Sequence, residues 1–239
     1  MRFGIIGFGR LGQCWSELLL PYGKVMAHDA ILKTSLIKGV SLVPLEELRD
    51  TEVLLLAVPI SSFQECCKHV AKIISPSTLL VDTCSVKVFP MQIMSELFPQ
   101  KQPIMAIHPL FGPNSILKSE GTRGHKIVLC TSPQEERAHK MIEIFQHMGL
   151  EIISLTPEEH DMQSASMQAL VHFIGRAPML TTPPGILSTP SFELLQKMVR
   201  SVTADSEELF GDMHRYNPYT HSVREKFLKE LSILHHTLT

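Results

Sequence analysis

A short apolar run over residues 2–6 leads directly into Gly7-Phe8-Gly9-Arg10-Leu11-Gly12, and an apolar stretch through Leu18-Leu19-Leu20 follows. This G-x-G-x-x-G spacing constrains the fold more than any other feature, because in this setting it reads as strand, glycine turn and helix. The first glycine permits the tight turn, the second lets the backbone approach a pyrophosphate, and the third allows close helix packing. The helix N-terminus adds partial positive charge for an anion. A merely structural glycine turn is the plain alternative, and the position of the motif at the head of a β/α series weighs against it. Gly7, Phe8, Gly9, Arg10, Leu11 and Gly12 are therefore assigned to a dinucleotide. Asp29 closes the next predicted strand, 29 − 12 = 17 residues past the last glycine. That is about where a carboxylate grips the adenosine ribose hydroxyls, which favours NAD over NADP. A helix N-cap is the other reading of Asp29, and Lys33 works against the NAD preference.

The alternation continues along the chain. Strands are predicted over residues 24–28, 53–58, 78–81, 103–107, 126–130 and 151–154. Helices are predicted after Asp29, after Ser61 and over 133–148, the last announced by Ser132 and Glu135 as a capping box. Such a series implies a mainly parallel sheet covered on both faces, a Rossmann-type α/β domain. Val58 and Pro59, at the end of the most apolar strand, are assigned to the cofactor as well. At Thr156-Pro157-Glu158-Glu159 the pattern becomes an N-cap, an N1 proline and an N3 acid, and everything beyond reads as helix or loop. The expected organisation is a dinucleotide-binding domain over 1–155 and a smaller all-α domain over 156–239. The helix from Pro157 is predicted to stop near Pro178 and Pro183-Pro184-Gly185, with later helices after Thr189-Pro190 and Asn217-Pro218. About 84 helical residues have difficulty burying enough surface alone, so a homodimer through this segment is expected.

Composition narrows the partners. The 22 Lys and Arg against 24 Asp and Glu leave no positive excess to neutralise phosphates, so nucleic acid is not expected. Apolar residues at 44% and charged ones at 19% suit a chain that buries a core. The opening apolar run is too short and too glycine-broken for a signal peptide, and neither it nor any later stretch calls for a membrane, so a cytoplasmic protein is expected. Five cysteines, odd in number and without a C-x-x-C pair, read as reduced thiols rather than as disulfides or a metal site.

Two further segments carry the chemistry. His108-Pro109-Leu110-Phe111-Gly112-Pro113-Asn114-Ser115 follows a predicted strand, whose C-terminal end faces the ligand crevice of an open parallel sheet. Two prolines and a glycine fix the backbone around His108. Asp82-Thr83-Cys84-Ser85-Val86-Lys87 ends the preceding strand, so Ser85 is expected to open onto the same crevice and hydrogen-bond the imidazole; a helix cap is its alternative role. On the helix after Pro157, Ser164, Gln168, His172 and Arg176 recur four apart and share a polar face, read either as a solvated surface or as the lining of a cleft between domains.

At DTCSVKVFP (82–90), HPLFGPNS (108–115) and EEHDMQSASMQALVHFIGR (158–176), the chain resembles the prephenate/arogenate dehydrogenase family, and the match extends over essentially its whole length. The resemblance implies oxidative decarboxylation of prephenate or arogenate, with His108 as the catalytic base, Ser85 supporting it and no metal. It implies a substrate-binding role for His172, and Ser115 and Gln168 are assigned to substrate with it. Bacterial relatives place a carboxylate-binding arginine where Ser201 falls here, and Arg200, one position off, is the candidate. Asn114 stands where relatives have an acid, and the sequence does not choose between prephenate and arogenate. Two other readings are a β-hydroxyacid dehydrogenase or imine reductase, against which the H-P-L-F-G-P segment argues, and a non-catalytic NAD-sensing module, against which the His108, Ser85 and His172 set argues.

Overall fold

The computed structural model describes residues 1–119, 121–181 and 188–238. β1 (Arg2–Ile6) enters the Gly7 turn and is followed by α1 (Arg10–Leu19), as the glycine spacing predicts. β2 (Lys24–His28), β3 (Val40–Leu42), β4 (Val53–Leu56), α2 (Ile60–Val70), β5 (Leu79–Asp82), α3 (Val88–Leu97), β6 (Ile104–Pro109), α4 (Pro113–Ser119), β7 (Lys126–Thr131), α5 (Glu136–His147) and β8 (Glu151–Ser154) follow. The strands form one eight-stranded sheet in the order β3-β2-β1-β4-β5-β6-β7-β8. Pairing is parallel except between β6 and β7. The strand order reverses beside β1, so a ligand crevice opens at the C-terminal ends of β1 and β4.

β4 and β5 are buried along their whole length, as central strands covered on both faces must be. Trp15 of α1 is fully buried and packs against Phe111 at 6.2 Å and Phe145 of α5 at 5.8 Å between ring centroids. The glycine-turn helix and the loop after β6 are thereby fixed to one core.

The chain divides into two compact units, Met1–His160 and Asp161–Thr239. The join lies within α6 (Pro157–Ser164). Its start is the expected capping box: the Thr156 backbone N–H donates to Glu159 Oε2 at 2.8 Å and the Glu159 N–H donates to Thr156 Oγ1 at 3.1 Å. A π-helical turn (Ala165–Ala169) and then α7 (Leu170–Thr181), α8 (Pro190–Val202), α9 (Glu207–Tyr216) and α10 (Thr220–Thr237) make up the second unit. Within it, Asn217 ties the start of α10 to α6 by donating to the Asp161 carbonyl at 2.8 Å. Gly175 lets α7 approach α8 closely, since a Cβ there would lie 2.6 Å from Val202 Cγ2.

Two expectations are corrected. No helix follows Asp29; residues 30–39 are irregular and lead to β3. The Asp29 carboxylate accepts from the backbone N–H groups of Ile31 and Leu32, both at 2.9 Å, so it caps a turn that goes no further. Ile31 and Leu36 do not face a core, being 85% and 100% exposed, whereas Ile37 packs against it. α5 begins at Glu136 rather than Pro133, because Glu135 takes the N-cap position and its carboxylate accepts from the Ala138 N–H at 3.0 Å. Pro178, where a stop was also expected, lies inside α7, which continues to Thr181, and Pro183-Pro184-Gly185 lies outside the described residues. Among those residues no helix is long and apolar enough to cross a membrane, and no cluster of three or more His, Cys, Asp or Glu is placed to hold a metal.

Candidate active site

The glycine turn has the shape a pyrophosphate requires. Gly7 adopts φ +91°, and a Cβ on it would meet the Ala57 carbonyl oxygen at 2.4 Å. A Cβ on Gly12 would lie 1.9 Å from the Gly7 carbonyl, so α1 can sit this close to the turn only with glycine there. Beside Gly9 there is open space, and Gly9 is the N-cap of α1 with no side-chain cap. The N-terminal end of α1, uncapped by a side chain, is thus open to an anion. Val58 and Pro59 follow β4, whose end is tied to β1 by the Ala57 N–H donating to the Ile6 carbonyl at 2.8 Å. They sit beside the turn, and Val58 Cγ1 is one of the atoms a Cβ on Gly7 would meet. Arg10 and Leu11 open α1.

Asp29 stands at the end of β2, and its Oδ2 accepts from the Phe8 N–H of the turn at 2.7 Å. Burial pushes its carboxyl upward, but hydrogen bonds from the backbone N–H groups of Leu32, Phe8 and Ile31 outweigh this and hold it below the usual carboxylate range. Asp29 is therefore a turn cap and a charged acceptor beside the glycines. An open cradle at Gly9, a helix N-terminus with no side-chain cap and an ionised carboxylate together fit a dinucleotide.

His108 lies in the last turn of β6, where the pairing with β7 shifts register between Ala106 and Ile107. Such a bulge re-aims the side chains that follow it. The ring is 4% exposed. Three neighbouring strand ends are tied together around it. Thr83 Oγ1 donates to the Leu56 carbonyl of β4 at 2.8 Å, and the Cys84 N–H donates to Asp82 Oδ1 at 2.8 Å. The fully buried Lys87 ammonium pairs with the Asp82 carboxylate and donates to the Ile107 carbonyl at 2.5 Å, one residue before the histidine. Burial, then the His160 ring, then the Lys87 cation hold the His108 imidazole well below its ordinary 6.5. The histidine is neutral, as a general base has to be.

The expected hydrogen bond from Ser85 to His108 is not formed. His108 Nδ1 lies 2.8 Å from Nε2 of His160, which reaches it from the first turn of α6, and the buried Ser85 hydroxyl has no partner. His160, 2% exposed, is the functional neighbour that the sequence reading missed. Its signal was present: His160 stands four residues before Ser164, one repeat earlier on the same stripe. Ser115 lies in the first turn of α4 and its hydroxyl accepts from the Gly112 N–H at 3.4 Å.

In the helical unit the stripe is shaped by the π turn. Four residues overshoot one α-helical turn by about 40°, and a wider turn at 165–169 takes out part of that drift. Gln168, half-buried, lies in this turn. His172 is buried; its Nε2 is 3.8 Å from Asp205 Oδ2 and its Nδ1 has no partner. Burial lowers the His172 pKa, the Asp205 charge opposes this and Arg176 adds to it. Arg176 pairs with Glu207 and stacks over Phe210, 4.3 Å from the ring centroid, leaving its buried Nε unpartnered. His214 accepts at Nδ1 from Arg224 at 2.7 Å, so its Nε2 carries the proton, and the ring interacts with the Ala169 backbone. Burial, then Arg224, takes His214 down to about 4. Two unsatisfied nitrogens on basic side chains in one helical unit, His172 Nδ1 and Arg176 Nε, suit an anionic ligand. Arg200 is exposed on α8, whereas the guanidinium within electrostatic reach of His172 is that of Arg176.

Comparison with known proteins agrees with this geometry. The family model for the nucleotide-binding domain of prephenate dehydrogenase matches residues 32–154, more than half of the chain. Arogenate dehydrogenase 1, chloroplastic, of Arabidopsis thaliana is 27% identical over 95% of this chain and 37% of its own length. Arogenate dehydrogenase 2, chloroplastic, from the same plant is 26% identical over 91% of this chain and 64% of its own length. The chain thus spans about a third to two thirds of these relatives. The crystal structure of prephenate dehydrogenase from A. aeolicus in complex with hydroxyphenyl propionate and NAD+ superposes with a TM-score of 0.75 at 19% identity, covering 100% of this chain and 90% of that one, a likeness of fold. On the family match over residues 32–154, a span that contains His108, the chain belongs to the prephenate dehydrogenase family.

Proposed function

We propose that this chain catalyses the dinucleotide-dependent oxidative decarboxylation of prephenate, of its amino counterpart arogenate, or of both, a step of tyrosine biosynthesis. The observation that carries the reading is a buried neutral histidine at a strand end of a dinucleotide-binding sheet, with one ring nitrogen engaged and Nε2 left for substrate. Bound dinucleotide supplies the hydride acceptor. His108 Nε2 takes the proton from the ring hydroxyl of the substrate. The unpaired Ser85 hydroxyl is a further hydrogen-bonding group for the bound ligands, and His172, with Arg176, Gln168 and Ser115, holds the substrate's polar groups. Because loss of carbon dioxide yields an aromatic ring, positioning and removal of one proton are most of what the protein must provide. Incubation with prephenate and with arogenate, each with NAD, and chromatographic identification of 4-hydroxyphenylpyruvate or tyrosine tests the reading and decides the substrate. Arg200 is retained as the alternative carboxylate ligand, and its replacement should raise KM if it has that role.

The cofactor is proposed to be NAD, since an ionised carboxylate at Asp29 accepts ribose hydroxyls and repels the extra phosphate of NADP. Replacing Asp29 with alanine is expected to move the ratio of kcat/KM for NADP over NAD upward by at least about tenfold, the equivalent of roughly 1.4 kcal/mol. A ratio unchanged from wild type would leave Asp29 as a turn cap alone.

A homodimer through the helical unit is proposed on a stripe of α10. Phe227, Leu231, Leu234 and Leu238 recur at i, i+4, i+7 and i+11, and the last three are 44%, 56% and 81% exposed. An apolar helix face of this spacing is satisfied by another helix. Light scattering at micromolar concentration should give twice the 26.8 kDa chain mass, whereas an active monomer would remove the proposal. None of the five cysteines is in a disulfide, which fits the reducing compartment proposed here, the cytosol.

A further inference from the structure

We infer that His160 is a positioning residue that sets the tautomer of His108 by accepting a hydrogen bond from its Nδ1–H, leaving a lone pair on Nε2. The inference rests on the assignment of His108 as the base and adds the group that makes it one.

The two ring nitrogens are 2.8 Å apart, and the rings meet edge to face with centroids 5.0 Å apart and planes at 73°. Both residues are buried, 4% and 2% exposed, so solvent does not compete for the bond. At this distance one proton lies between the two ring nitrogens. If His160 donated it, His108 would carry its own proton on Nε2 and present a donor to the substrate hydroxyl. If His108 donates it, Nε2 is the acceptor that proton removal needs, and the Nδ1–H bond persists once Nε2 is protonated. In serine hydrolases a carboxylate holds the base imidazole in this way; here the acceptor is a second histidine.

The sequence fixes His160 for this purpose. Thr156 and Glu159 close the capping box at the start of α6, and the His160 N–H donates to the Thr156 carbonyl at 2.9 Å, so the ring projects from the first turn of a helix whose start is pinned to the end of β8. The hydroxyl otherwise expected to orient the base, that of Ser85, makes no hydrogen bond.

The test uses the full chain with ring-labelled histidine, its His108 signals assigned by comparison with His108→Asn. Nitrogen NMR of wild type is expected to show His108 protonated on Nδ1 and unprotonated on Nε2. In His160→Leu the two tautomers should mix and kcat should fall about 10- to 100-fold with KM little changed, a smaller loss than when an orienting carboxylate is removed, since a neutral acceptor stabilises no charge. His160→Gln, whose Oε1 can take the place of Nε2, should recover most of the rate. Wild-type His108 protonated on Nε2 would overturn the inference, and this needs no variant to fold. So would equal losses in the Leu and Gln variants, or wild-type kcat in His160→Leu. Failure of the underlying reading is distinct: His108→Asn would then keep wild-type kcat whichever tautomer is found.

Discussion

Replacement of His108 by asparagine is expected to lower kcat by about 10² to 10⁴, the usual contribution of a positioned base. Dinucleotide affinity should stay within about twofold, because the glycine turn and His108 stand at different strand ends, so that binding and chemistry separate. The same residue sets the pH dependence. A base must be unprotonated, and the folded environment holds His108 well below 6.5 through burial, His160 and Lys87. The unprotonated form therefore persists as pH falls through the ordinary histidine range, and the acid limb of kcat/KM should lie below pH 6.5 rather than in the range of about 6 to 7 that an unperturbed histidine implies. Initial rates from pH 5 to 9 measure both effects. Wild-type kcat in the asparagine variant, with the same acid limb, would make His108 structural.

Removal of Lys87 should give the largest loss of stability. Its ammonium and the Asp82 carboxylate are both 0% exposed, so Lys87→Met leaves a carboxylate without its counter-charge in the core. Breaking a buried pair from one side costs about 3 to 5 kcal/mol. Replacing both partners with apolar residues removes the uncompensated charge, so Asp82→Leu with Lys87→Met should recover a substantial part of that loss. Trp15, the one tryptophan, is fully buried in the same unit, and its fluorescence in a urea titration follows that unit directly. A loss below about 1 kcal/mol in the single variant would show that the pair is not held in the buried geometry described.

Much of this architecture was legible because it is written in short range. Gly7 is marked by its own positive φ and Gly12 by the Gly7 carbonyl five residues away, and the Thr156–Glu159 box by two local hydrogen bonds, so spacing alone found them. The segment after Asp29 misled for the complementary reason. Ile31, Leu32, Leu36 and Ile37 have a helix-like period, but Asp29 engages the N–H groups that would start a helix and no core lies beneath Ile31 and Leu36. Ser132 with Glu135 read as a capping box by residue type, whereas the backbone places Glu135 itself at the N-cap.

The candidate site divides the same way. His108 was visible because prolines and a glycine surround it and a strand precedes it. Its partner was not, since His108 and His160 are 52 residues apart and only folding brings their rings together. Lys87 stood in a segment recognised as important, yet its task, joining Asp82 to the Ile107 carbonyl, is set by sheet pairing between β5 and β6. The stripe Ser164, Gln168, His172 and Arg176 was found by a four-residue period, but the π turn beneath it leaves no mark in composition.

The central claim is that this chain couples dinucleotide reduction to decarboxylation at His108. Its most direct measurement is the yield of NADH and carbon dioxide when the purified chain is given NAD with prephenate or arogenate. The account predicts equimolar NADH and carbon dioxide from at least one of the two substrates, with both lost together in His108→Asn. A chain that binds NAD yet forms neither product from either substrate would contradict it.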